Sequence, residues 1–99
     1  MEPLSGVLPR VFKRLGLEQG LLGWRAVHEW EQVVGAGVAR HTRAVDFRDG
    51  VLLVEVEGSV WMHELGFLWR DLVRKINHHL GSRLLKDVRF VMPRGGILR

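Results

Sequence analysis

Apolar positions along this 99-residue chain follow two periods, one near four residues and one of two, and the switches between them mark out its elements. Leu4, Leu8, Val11 and Leu15 keep helical spacing, with Gly6 and Pro9 interrupting the first half. Pro9 suits an early helix position, where its missing N–H costs nothing, so the pattern predicts a firm helix over Pro9–Leu15 that Gly16 ends. Gly20-Leu21-Leu22-Gly23 reads as a turn. Val27, Trp30, Val34 and Val38 then share one face of a second helix, predicted from Trp24 to near Ala39, with Gly35 and Gly37 weakening its last turns.

The period changes to two over Thr42–Arg48, with Arg43, Val45 and Phe47 on one side. Asp49-Gly50 supplies the positive φ of a tight hairpin turn, and Val51–Val56 forms the returning strand. A two-residue loop sets Phe47 opposite Leu52 and Val45 opposite Val54. Ser59 stands where a helix N-cap belongs. Trp61, Leu65, Leu68, Leu72, Ile76 and Leu80 follow as one stripe of a long helix that Gly81 terminates. Val88, Phe90 and Met92 alternate as a third strand, and Pro93 closes it. The order ααββαβ predicts an α+β fold, a three-stranded sheet with helices packed on one face, in a single domain over residues 1–92. Residues 93–99 read as a short flexible basic tail.

Composition adds a partner to this picture. The net charge is +4, and twelve of the fifteen positive residues are arginine, whose planar donor fork suits phosphate and whose face stacks on bases. There is no cysteine, which excludes disulfides, a thiolate nucleophile and a zinc ribbon. No apolar run reaches the length of a membrane span and the start lacks a signal-peptide design, so a cytoplasmic protein without membrane contact is expected.

Catalytic motifs are missing. Neither G-x-x-x-x-G-K-[ST] nor G-x-G-x-x-G after a strand occurs, and the five histidines show no H-x-x-x-H pairing, so no cofactor, metal site or enzymatic activity is expected. Ser59 lacks a nucleophile elbow and the carboxylates are scattered among arginines. Nucleic-acid contact has three candidate groups: Arg40, His41 and Arg43 between the second helix and first strand; Arg70 and Arg74 on the long helix; and Arg83 and Lys86 after it. His63 and Phe67 fall on one helical line with Arg70 and Arg74 and are candidates for a partner surface, although packing of Phe67 beneath an N-terminal helix is the plainer reading. Gly20 to Gly23 fits the letter of the G-x-x-G loop of KH domains, but with leucines in the middle a plain turn is preferred.

Trp30-x-x-Val33-Val34-Gly35, Ala39-Arg40-His41-Thr42, Asp49-Gly50-Val51-Leu52-x-Val54 and Ser59-x-Trp61-x-x-Glu64-Leu65, continuing through Ile76-Asn77 and Val88-Arg89-Phe90, resemble the bacterial DciA family. That resemblance implies a KH-like domain without enzymatic activity that binds DNA, single-stranded or forked, and the replicative DnaB-type helicase, whose loading it assists. The family's recurrent positions fall here on Trp30, Gly35, His41, Ser59 and Trp61, most of them structural in type. Many relatives carry a basic extension, whereas the tail here is a few residues long. An RNA-binding KH-like module and a protein-interaction module without nucleic-acid binding are the alternatives.

Overall fold

The computed structural model describes residues 17–93. The predicted helix Pro9–Leu15 and residues 94–99 of the predicted tail lie outside them. The elements are α1 (Glu18–His28), α2 (Trp30–Val34), α3 (Ala36–Ala39), β1 (Thr42–Arg48), β2 (Val51–Val56), α4 (Ser59–Gly66), α5 (Trp69–Leu80) and β3 (Asp87–Val91).

Turn chemistry organises the sheet. Asp49 at φ 53° and Gly50 at φ 81° make the two-residue turn that joins β1 antiparallel to β2. β2 also pairs with β3, in parallel, so the mixed three-stranded sheet runs β1-β2-β3 with β2 in the middle. Phe47 does face Leu52, as the pattern requires. Val45 does not face Val54, because a bulge leaves it unpaired and brings Ala44 into that position. Ala44 is consequently buried and Val45 half-buried. Leu52, Val54 and Val56 on the inner face of β2 are fully buried, and Ala26, Trp30, Leu65, Leu72, Ile76 and Leu80 from the helices pack over them.

Four helical predictions need correction. Gly20-Leu21-Leu22-Gly23 is not a turn but lies inside α1, which starts at Glu18 rather than Trp24. Gly23 is there because α1 crosses β1 closely: a Cβ at this position would sit 2.5 Å from the Phe47 ring. The second predicted helix is divided at Glu29 and again at Gly35, whose φ of 87° favours glycine. The long helix is likewise two helices. Phe67 and Leu68 donate their N–H groups to Glu64 and Leu65, three residues back, which tightens and ends α4 before α5 begins. Gly58, at φ 92°, takes the N-cap position of α4, and Ser59 is its first helical residue without a side-chain cap bond.

Polar groups within the core layer are paired. Trp30 donates from Nε1 to Thr42 Oγ1 at 2.8 Å, and Thr42 passes its own proton to the Val38 carbonyl at 2.9 Å. α5 ends on Gly81 in the left-handed conformation, as its sequence predicts. Asn77 then fastens the connection to β3, donating to the Leu85 carbonyl at 2.8 Å and accepting from the Leu85 N–H at 2.9 Å.

Candidate nucleic-acid interface

α5 is built to show charge. Leu72, Ile76 and Leu80 recur every four residues and are buried, which fixes the rotation of the helix. The opposite side carries Arg70, Asp71, Arg74, Lys75 and His78, all exposed. Arg70 lies over the Trp69 ring with its guanidinium carbon 5.2 Å from the centroid. Arg74 pairs with Asp71 at 2.9 Å, but the two side chains are 74% and 56% exposed, so water screens the pair and the arginine can exchange it for a phosphate. Lys75 has no carboxylate within ion-pair distance among the described residues.

Beside this face runs an open groove of about 500 Å³ between α2 and α5, with Gln32 and Val33 on one wall and Asp71, Arg74, Lys75, His78 and His79 on the other. Glu29, which follows α1, meets His79 of this groove. The Glu29 carboxylate receives Arg25 Nε and an Arg25 terminal nitrogen, both at 3.1 Å, and lies 2.7 Å from His79 Nε2. Those two partners, Arg25 foremost, hold the Glu29 carboxyl below its ordinary pKa. The arrangement ties α1 to α5 across the helix break.

The other basic candidates are not gathered with this face. Arg40, His41 and Arg43 sit where β1 begins, around a small cleft of about 190 Å³ shared with Glu55, Glu57 and Pro93. The His41 ring stacks on Trp61 with centroids 4.5 Å apart, and its Nδ1 is 3.9 Å from Glu57. Arg83 and Lys86 belong to the opposite end of the sheet, where the Lys86 N–H donates to the Gly50 carbonyl at 2.7 Å and its aliphatic stem crosses the turn. Roughly 20 Å of strand, at about 3.3 Å per residue, separates the two ends.

The straight line predicted through His63, Phe67, Arg70 and Arg74 is bent, because the break after α4 sets its two halves on different helices. Phe67 does not pack beneath an N-terminal helix. It is 74% exposed, with the His63 ring edge-on at 4.9 Å. Lys75, His78 and His79 also border this face, and continuing the helical projection of Arg70 and Arg74 by one turn reaches His78. Among the described residues no group of three or more potential ligands could hold a metal, and no helix is long and apolar enough to cross a membrane.

The sequence is similar to those of known proteins. Similar chains include a UPF0232 protein of Bifidobacterium longum, 35% identical over 72 residues that cover 73% of this chain and 46% of the relative. Others are UPF0232 proteins of Corynebacterium glutamicum, 27% identical over 92 residues covering 93% and 52%, and of Rhodococcus jostii, 26% identical over 92 residues covering 93% and 49%. The chain thus spans about half the length of these curated relatives. The family described as "Dna[CI] antecedent, DciA" matches residues 3–90, nearly the whole of the sequence, and the protein belongs to the DciA family.

Proposed function

We propose that this chain is a non-enzymatic adaptor that binds DNA, single-stranded or forked, and engages a replicative DnaB-type helicase to assist its loading. The outward face of α5 carries the DNA half of this reading. Arg70, Arg74, Lys75 and His78 form a continuous basic surface on a rigid helix, with one acidic neighbour, Asp71. Such a surface addresses the phosphate backbone and not the base edges, so binding draws on counterion release and is indifferent to sequence. The helicase half rests on the family and on the exposed Phe67 and His63 beside the break between α4 and α5. A KH-like architecture accords with the α4–α5 pair joining parallel strands β2 and β3 of a mixed sheet. The mechanism is binding energy, without bond chemistry.

Anisotropy titrations with single-stranded DNA, forked DNA and matched RNA at increasing salt test this. DNA affinity should fall steeply, with a log–log slope of about −0.7 per contacted single-strand phosphate. Arg70→Glu, Arg74→Glu and Lys75→Glu together should weaken binding by at least about tenfold and flatten the slope by about 2. Unchanged binding in the triple variant would remove α5 from the interface, and a preference for RNA would redirect the function. In a pull-down with the cell's replicative helicase, Phe67→Ala should reduce capture; full retention would exclude Phe67 from that contact.

A further inference from the structure

The sheet has a second face. Leu52, Val54 and Val56 of β2 point into the helices, so Val51, Leu53 and Glu55 between them point the other way and are only half-buried. Strand register sets the outward rows. Arg48, Val51 and Asp87 lie side by side across β1, β2 and β3, and Asp46, Leu53 and Arg89 make the next row. All of these except Asp87, together with Asp49 of the turn, line a shallow depression of about 390 Å³. In each row the two edge strands carry opposite charges, and the order reverses from one row to the next. We propose that this face pairs with the same face of a second copy of the chain, as a weak two-fold dimer centred on Val51 and Leu53.

The charge pattern is its own complement. A two-fold axis lying in the plane of such a contact exchanges either the edge strands or the two rows. Either exchange reverses every sign among Asp46, Arg48, Asp87 and Arg89, so each charge meets its opposite. Within one copy these charges are little used. Arg48 lies 3.7 Å from Asp46 and Arg89 3.4 Å from Asp87, but the two arginines are 80% and 69% exposed, so water screens both pairs. A polyanion is the wrong occupant: with Arg43 and Glu55 in the third row, each outward cation is matched by an anion, unlike the outward side of α5. Size sets the strength. Three strands about 4.8 Å apart and a few residues long offer far less than the roughly 800 Å² per partner of a stable complex, so the dimer is transient. Because α5 packs on the inner face, pairing leaves the basic side of both copies open.

Sedimentation of the full chain at high micromolar concentration should show a dimer that dissociates on dilution and on adding salt. Arg48→Asp with Arg89→Asp makes the four charges all acidic, and Asp46→Arg with Asp87→Arg makes them all basic. Each variant alone should lose at least about tenfold in self-association, because like charges then face one another. Mixed in equal amounts, the two should restore a dimer with one chain of each, identified by mass after isotope labelling of one. A parent that stays monomeric, variants that dimerise as well as the parent, or a mixture no more associated than its components would overturn the proposal. Amide NMR shifts of the parent on dilution give a reading without substitution. Those of Leu53 and Arg89 should move while those of Phe67 and Arg74 stay; movement confined to the helices would put the contact elsewhere and overturn this face.

Discussion

α5 and α1 both lie against the same sheet, yet they end differently at the solvent. On α5 the division is complete: Leu72, Ile76 and Leu80 are buried, and the far side is Arg70, Asp71, Arg74, Lys75 and His78. α1 turns Leu21 and Trp24 outward, with Leu17 ahead of them, although its inner side already supplies Ala26 to the core. The difference separates two kinds of surface. A helix finished with charge needs no further layer, whereas one that turns leucine and tryptophan to the solvent leaves an apolar surface in water.

The sharpest way to break this comparison is to truncate one residue on each side of it. Ile76→Ala should cost about 2–5 kcal/mol in chemical denaturation, through lost transfer energy and the cavity left behind. Leu21→Ala should cost about 1 kcal/mol or less, since much of its side chain stays in water; equal losses would make the outward side of α1 part of the core. The two glycines of α1 give a smaller contrast. Gly23→Ala drives a methyl group into the Phe47 ring and should destabilise by about 1–3 kcal/mol. Gly20 has open space at the same point, so Gly20→Ala should be neutral or gain up to about 1 kcal/mol in helix propensity.

The smallest effect concerns the tie between the two helices, and it depends on pH. Glu29 ionises more readily in the folded chain because Arg25, and then His79, hold its charge. Its contribution is therefore complete above the unfolded carboxylate value of about 4.3 and is lost as pH falls through the lower folded value. Glu29→Gln should lower the melting temperature at neutral pH, and the gap from the parent should close as the solution is taken below about pH 4. A gap that stays constant across that range would mean that the contact owes nothing to the carboxylate's charge.

Local chemistry made much of the fold legible. Asp49-Gly50 names its turn, Gly81 its helix end, and the alternation of β2 its inner face; all three stand in the structure. Tertiary packing decided what the pattern missed. Two glycines suggested a turn in what is the first half of α1, because nothing in the sequence says that Gly23 makes room for Phe47. The stripe from Trp61 to Leu80 keeps its spacing across the break at Phe67 and Leu68, so periodicity alone runs straight through it, and Gly66 was the local sign. The bulge at Val45 is set by register, which no single strand reveals. Of the candidate site, Arg70 and Arg74 were visible as one helical face, but the distance between the ends of the sheet that divides Arg40 and Arg43 from Arg83 and Lys86 belongs to the assembled sheet.

The parallel pairing of β2 with β3 also orders the assembly of the domain in time. The β1–β2 hairpin joins residues a few positions apart and can close within about 10 microseconds. β3 cannot be recruited by a tight turn, because a parallel neighbour must return by a crossover, and here that crossover is the whole of α4, α5 and the Asn77-fastened connection. The sheet is therefore completed late and lost early: a lesion in α5 should release β3 first, leaving the hairpin amides protected while those of Asp87–Val91 exchange.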